Sequence, residues 1–284
     1  MPNAKWTDGA SDSCFVKKIG VEQALIEANG VSKKFYQSRL NRSIMVLDNI
    51  SLSVRPSEFV SVVGTSGCGK TTLLHILAGL IEPSEGCVLV NGKPMVSGRE
   101  SAMVFQNPAL LPWRTVTKNI SYGLECLKTD RSQARSRAES LLDFVGLSGF
   151  GLHYPYELSR GMQQRVSLAR ALAVDPEILL MDEPFASLDA QTREEMQREL
   201  LTIWEKTRKT VIFVTHQVSE AVFLSDRVVV LSGRPARVHA VIDIRLPRPR
   251  DISTRYSEVF QGCERQIRGF LGNEQGTAAS RREL

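Results

Sequence analysis

The chain changes its hydrophobic rhythm twice. Over residues 24–64 the segments "ALIEANGVSKKFY", "MVLDNISLSV" and "EFVSVVG" are short and β-like, with turn residues between them. "GCVLVNGK" is a further strand ending in an Asn-Gly turn. Over about 116–173 the apolar spacing becomes helical. Three apolar runs follow, "EILLMDEP", "TVIFVTH" and "RVVVLSG", with the unbroken hydrophobicity of parallel strands buried on both faces. Between the first two, "LDAQTREEMQRELLTIWEKTRK" forms an amphipathic helix with Leu200, Ile203 and Trp204 turned to the core. "LPRPR" breaks the pattern at 246–250, and a last helix over about 257–271 is expected to pack on the outside. A helical block set among parallel strands predicts an α/β core with a helical subdomain. The expected division is a loosely ordered extension over 1–23, a main domain over 24–242 whose helical subdomain covers about 107–173, and a basic tail with one helix over 243–284.

Composition changes this picture little. With 284 residues, 42% hydrophobic and 24% charged, the chain is neither disordered nor a membrane-spanning bundle in type. No apolar run approaches the ~18–20 residues of a transmembrane helix. The first thirty residues lack the apolar centre of a signal peptide, so export is not expected. The five cysteines (14, 68, 87, 126 and 263) have no CxxC spacing and are expected to be free thiols in a reducing compartment. The net charge of +5 lies mostly beyond residue 233, where ten arginines face six acids. Such a tail suits either a solvated end or contact with nucleic acid or an anionic membrane surface. No helix-turn-helix, zinc-finger or RNA-binding signature accompanies it, so no nucleic-acid partner is expected.

The chemistry is concentrated in two motifs. Gly64-Thr65-Ser66-Gly67-Cys68-Gly69-Lys70-Thr71, followed by Thr72, fits G-x-x-x-x-G-K-[ST] between an apolar strand and an apolar helix. Glycines let backbone N–H groups turn inward onto phosphate oxygens, and the helix N-terminus adds partial positive charge. Lys70 would reach the β- and γ-phosphates, and the Thr71 hydroxyl would ligate Mg²⁺. Cys68, beside Lys70 and a helix N-terminus, has two readings: a reactive thiolate or a small side chain filling space. The second motif is the apolar strand ending in Asp182-Glu183. Asp182 suits Mg²⁺, and Glu183 is placed to polarise an attacking water.

These motifs do not by themselves choose among nucleotide hydrolases. The segment "YELSRGMQQRVSLARAL", just ahead of the acidic strand, resembles the signature of the ATP-binding cassette family. "VFQ", "SLDA", "VTH" and the aromatic in "VSKKFY" follow the same family's order. The resemblance implies a phosphate-loop NTPase core, a mixed sheet with flanking helices and an antiparallel β subdomain, carrying an inserted helical subdomain. It implies that Phe35, or its neighbour Tyr36, stacks adenine, and that residues 64–72 hold the phosphates. Gln106 would sense Mg²⁺ and water and couple to a membrane partner. Glu183 would be the general base, and His216 would contact the γ-phosphate. Ser159, Arg160, Gly161 and Met162 would complete the site of the opposite subunit, and Ser187, Leu188 and Asp189 would link the two sites. Arg160 departs from the family's usual Leu-Ser-Gly-Gly and replaces the residue most tolerant of positive φ. The other histidines, His75, His153 and His239, are expected to be packed.

ATP and Mg²⁺ are the implied cofactors, and a dimer with two sandwiched ATP molecules is the implied assembly. "FQNPALLPWRTVTKNI", "LSGRPARV" and "LPRPRD" are similar to the nitrate/sulfonate/taurine importer subfamily. That similarity implies integral membrane permease subunits, an extracytoplasmic solute-binding protein and a peripheral position on the cytoplasmic face of a bacterial inner membrane. Leu110, Leu111 and Trp113 either form an apolar knob for the permease or pack inside the helical block. A cassette ATPase acting on DNA is the alternative, but the chain lacks the coiled coils and paired cysteines such proteins insert. A non-catalytic regulatory subunit is disfavoured by the intact Lys70, Asp182, Glu183 and His216.

Overall fold

What covers each face of a strand decides which sheet it joins. The computed structural model describes residues 24–95 and 100–279; the expected extension over 1–23 lies outside them. The strands are β1 (Ile26–Gln37), β2 (Arg42–Val54), β3 (Phe59–Val63), β4 (Glu85–Val90), β5 (Lys93–Pro94), β6 (Ser101–Val104), β7 (Ile178–Asp182), β8 (Thr210–Thr215), β9 (Arg227–Ser232) and β10 (Arg237–Asp243). An antiparallel sheet has the order β2-β1-β4-β5, and a six-stranded sheet has the order β10-β9-β3-β8-β7-β6. In the larger sheet β9, β3, β8, β7 and β6 run parallel, and only β10 is antiparallel. β3, β7 and β8 are buried at every position, as their unbroken apolar runs require.

Alternate residues of these strands serve different cores, because side chains in a strand point to opposite faces in turn. Phe59, Val63, Met181, Phe213 and Val230 belong to the core shared with the helical block. Val60, Val62, Leu180, Val214 and Val229 belong to the core under the antiparallel sheet and α1 (Lys70–Leu77). The mouth of the phosphate loop therefore sits on a strand clamped from both sides.

The helical block contains α2 (Val116–Ile120), α3 (Tyr122–Cys126), α4 (Arg131–Phe144) and α5 (Arg160–Ala173). The periodicity expected over 116–173 is broken at 145–159, which holds only a 3₁₀ turn at Pro155–Glu157. Gly146, at φ 70°, ends α4 in a conformation few other residues tolerate. Asp130 and Ser159 cap α4 and α5 through their side chains. Further on lie α6 (Ala190–Thr207), α7 (Val218–Leu224) and α8 (Glu258–Ala279), the last running eight residues past its expected end. Leu200, Ile203 and Trp204 of α6 are buried as expected.

Two expectations need correction. Cys87 is disulfide-bonded, not a free thiol; spacing rules along the chain cannot see a pairing made by the fold. Three arginines of the C-terminal region also turn inward rather than into solvent. Arg250 is buried and donates to the carbonyls of Val222, Phe223 and Ser225 at 2.9–3.2 Å. These include the open C-terminal carbonyls of α7, where a cation is favoured. Burial lowers Arg250 to about 10, which leaves it charged at neutral pH. Arg248 holds Asp226 at 2.8 Å, and Arg255 holds Glu194 at 3.0 Å. Among the described residues, no helix is long and apolar enough to cross a membrane.

Candidate active site

The phosphate loop runs from the end of β3 into α1. Gly69 stands at φ 121°, and a Cβ there would meet Leu47 at 2.9 Å, so neither its conformation nor its surroundings admit a side chain. Lys70 is buried with its Nζ donating to the carbonyls of Gly64 at 3.0 Å and Thr65 at 3.2 Å. That grip holds the ammonium inside the curve of the loop. Cys68 is 1% exposed, and its Sγ lies 2.8 Å from where a Cβ on Gly64 would stand. Of its two readings, burial favours the packing one.

Parallel pairing brings the acidic strand to the loop. In β7 and β8, Asp182 is in register with Val214, and Glu183 N–H donates to the Val214 carbonyl at 2.9 Å. Thr71 Oγ1 donates to Asp182 Oδ1 at 3.1 Å. Glu183 Oε1 lies 3.7 Å from Lys70 Nζ, and Oε2 lies 2.8 Å from His216 Nδ1. One carboxylate thus stands between an ammonium and an imidazole at the mouth of the loop. Glu183 has φ 43°, a left-handed conformation that costs a non-glycine residue about 1 kcal/mol or more and that gathers at functional sites.

Burial pushes the Asp182 carboxyl above its ordinary value; the Thr71 hydroxyl opposes this, and the neighbouring Glu183 charge adds to it. Such a carboxylate is stabilised by an arriving cation. Among the described residues no group of three or more His, Cys, Asp and Glu could hold a metal. A hydroxyl plus one carboxylate is the donor set of an ion that keeps water and substrate phosphates as its other ligands, which fits Mg²⁺.

The remaining sequence-derived residues are distributed as follows. Phe35, on β1, is half-exposed, with the Lys33 ammonium 5.2 Å from its ring centroid; Tyr36 is more exposed. Gln106 is exposed two residues beyond β6, the neighbour of β7. Ser159 accepts from Met162 N–H at 3.3 Å as the cap of α5. Arg160 is the first residue of α5, exposed and at negative φ, so the strain expected of it does not arise. Gly161 is buried against α6, where a Cβ would meet Thr192 at 2.9 Å. Ser187 is exposed and Leu188 buried, while Asp189 caps α6 by accepting from Thr192 N–H at 3.0 Å. That hydrogen bond holds the Asp189 carboxyl below its usual range. The Leu110, Leu111 and Trp113 knob divides: Leu110 packs on the core, Leu111 is half-buried, and Trp113 is 72% exposed.

Several positioning residues escaped the sequence reading. Arg170, on α5, donates to the carbonyls of Pro108 and Ala109 at 2.8 Å and so ties the signature helix to the loop after Gln106. The buried Asn119 side chain holds both Leu111 N–H and O, and the carbonyls of Arg114 and Thr115. Arg193 holds the carbonyls of Phe185 and Leu188 together with the Gln217 side chain. Arg234 donates to the Ser66 carbonyl at 2.9 Å and braces the outside of the phosphate loop. Their sequence signal is only a polar residue in an apolar helix or turn, and the partners lie far off along the chain.

Known proteins share this pattern. The family described as ABC transporter matches residues 47–186. An ABC transporter ATP-binding protein of Methanocaldococcus jannaschii is 52% identical over 242 residues, covering 85% of this chain and 89% of that protein. The taurine import ATP-binding protein of Rhizobium johnstonii is 46% identical over 243 residues, covering 84% of this chain and 93% of that protein. A dimeric structure of the ATP-binding cassette MJ0796, in a post-hydrolysis state bound to ADP and Pi, superposes with a TM-score of 0.69 at 31% identity, covering 78% of this chain and 100% of that one. With its fold, phosphate loop and acidic strand in this arrangement, the chain belongs to the ABC transporter family, as an ATP-binding subunit and ATPase.

Proposed function

We propose that this chain drives an importer of small anionic solutes of the nitrate, sulfonate and taurine class. It would act as a nucleotide-sandwich homodimer on the cytoplasmic face of the membrane, with permease subunits and an extracytoplasmic binding protein. The observation that carries the catalytic part is the Glu183 carboxylate held between Lys70 and His216. Phe35 stacks the adenine, residues 64–72 wrap the phosphates, and the Lys70 ammonium leaves its loop carbonyls for phosphate oxygens. Thr71 and Asp182, with Gln106 alongside, would hold Mg²⁺. When bound, that ion neutralises developing phosphate charge. Glu183 orients water and takes its proton, and His216 donates toward the γ-phosphate.

The dimer reading is supported by the dimeric cassette structure that this chain resembles and by the exposure of Ser159 and Arg160 at the start of α5. Ser159, Gly161 and Met162 at the start of α5 offer a hydroxyl and N–H groups to an opposite nucleotide. Residues 187–189 would cross between the sites, with 24–242 as the motor domain and 107–173 as its docking block. Import is supported by the taurine relative and by the exposed Trp113 beside a cavity of about 1050 Å³ in the helical block. Nothing in the matches favours the DNA-acting alternative. The test is growth of a deletion strain on taurine, alkanesulfonates or nitrate as sole sulfur or nitrogen source. Loss of growth on one of them, restored by the wild-type gene and not by Glu183→Gln, is expected; normal growth on all of them would refute the solute class.

A further inference from the structure

Thr215 closes β8 immediately before His216. Its hydroxyl donates to Glu220 Oε2 on α7 and accepts from Gln217 N–H at 3.0 Å. The residues on either side of His216 are thereby tied to one hydroxyl. Glu220 is buried, and its other oxygen accepts from Gln197 Nε2 on α6 at 2.9 Å. Gln197, also buried, accepts through Oε1 from Arg255 Nη2, and Arg255 Nη1 reaches Glu194 at 3.0 Å. Arg255 belongs to the 3₁₀ turn Ile252–Tyr256, in the C-terminal segment ahead of α8.

We propose that Glu220 and Arg255 are positioning residues for His216, joined to it by the chain Arg255–Gln197–Glu220–Thr215. The proposal rests on reading His216 as the γ-phosphate contact. Direction in the chain is fixed by chemistry. Arginine only donates, so the Gln197 amide has one orientation, and with the Glu220 carboxyl ionised the Thr215 proton points at Glu220. That leaves the Thr215 lone pairs for Gln217 N–H. Well-packed apolar residues in place of a buried ionic network are often as stable or more so, so stability is weak grounds for this polar chain. Side chains locked by such bonds transmit displacement well. A shift of the C-terminal segment moves the turn that carries His216, and His216 sets its distance to Glu183. The C-terminal segment thereby gains a route by which its contacts adjust turnover.

The experiment uses the full-length chain. Arg255→Gln, at the partly exposed end of the chain of bonds, is expected to lower kcat for ATP by roughly five- to tenfold with KM held within about twofold. Arg255→Lys keeps one donor for Gln197 and should recover part of the rate. In a His216→Ala background, Arg255→Gln should lower the residual rate no further, since its effect passes through the missing ring. The sequence holds four histidines, so the His216 ring signals in a ¹⁵N-labelled sample are those lost in His216→Ala. Those signals should shift in Arg255→Gln while His75 and His153 stay in place. An unchanged kcat, a full additional loss in the His216→Ala background, or an unmoved His216 ring would each overturn the proposal. If His216→Ala itself left hydrolysis intact, the reading of His216 would fail instead. The ring signals would still decide whether the chain positions that side chain.

Discussion

Glu183 and Lys70 lie 3.7 Å apart, yet they are expected to fail differently when changed. Glu183→Gln keeps the shape of the site and removes the base. ATP affinity should stay within a few-fold, kcat should drop by about 10²-fold or more, and gel filtration with Mg-ATP should show a trapped dimer. Steady hydrolysis by this variant would refute the assignment. Lys70→Ala removes the ammonium that meets the phosphates, so nucleotide binding itself should be lost in a fluorescent-ATP titration. Glu220 offers a test with a worked sign. Burial raises its carboxyl above the ordinary 4.5, partly opposed by its Thr215 and Gln197 hydrogen bonds. The folded state then holds the proton more tightly than the unfolded one, and this site removes stability as pH rises from about 4.5 toward the raised value. Glu220→Gln lacks that loss, so its Tm relative to wild type should climb between pH 5 and pH 8. A difference that falls with pH would contradict the sign. Lys70, Asp182, Glu183 and His216 were legible because Lys70 opens α1, Asp182 ends β7, and Glu183 and His216 directly follow β7 and β8, each within a short motif. Glu220 and Gln197 were not, since their pairing spans 23 residues and looks in sequence like two solvated helix positions.

Among the elements, α5 does the most. Its first turn presents the signature, the helix packs on α2 and α4, and Arg170 anchors the loop after Gln106. Arg160 occupies the first helical position, exposed and without an ion pair among the described residues. Arg160→Gly should therefore cost at most about 1 kcal/mol of helix stability and leave the ATPase rate of the assembled transporter within about twofold. A large fall would mean that the guanidinium takes part in the site, and a large rise that it restrains turnover. Gly161→Val should do the opposite. Its Cβ has only 2.9 Å to Thr192, so α5 must part from α6, and nucleotide-driven dimerisation should weaken in light scattering. Helix α6 and strands β3, β7, β8 and β9 were readable because their apolar patterns are long and continuous. β6 and β10 were not. β6 has four residues, mostly half-buried, and β10 alternates on an exposed edge, so neither has a run that separates it from loop. The helical block was read as too continuous for a related reason. Residues 145–159 keep several apolar side chains, but Gly146, Gly149, Gly151 and Pro155 interrupt them, and Gly146 and Gly149 stand at positive φ where the helix breaks.

Across the whole molecule, polar and apolar exposure are divided in a way that a lone chain would not need. Three of the ten arginines beyond residue 233, Arg248, Arg250 and Arg255, are folded onto α6 and α7 instead of standing free as a basic patch. Exposed apolar area instead gathers on the helical block, where Trp113 and Leu152 are 72% and 83% exposed and line the same cavity. Arg114, Lys118, Glu125 and Arg131 share its lining, so the surface is an apolar centre with a mixed-charge rim, the usual make-up of a protein interface. Arg114 and Thr115 of its lining are bound through their carbonyls by the Asn119 side chain, which also holds Leu111, while Arg170 holds residues 108 and 109 nearer Gln106. Anything seated in it would press on the segment between Gln106 and the signature helix. Trp113→Ala and Leu152→Glu are therefore expected to abolish co-purification with the membrane partner and transport into vesicles. ATP affinity of the detached chain should stay unchanged, because neither side chain touches the phosphate loop. A single aromatic anchor removed from an interface centre costs about 2–4 kcal/mol, or some thirty-fold or more in affinity. Retention of the complex by both variants would move the docking surface elsewhere. Loss of the complex by Leu152→Glu alone would place its centre on the 150–156 loop instead of the Gln106 side.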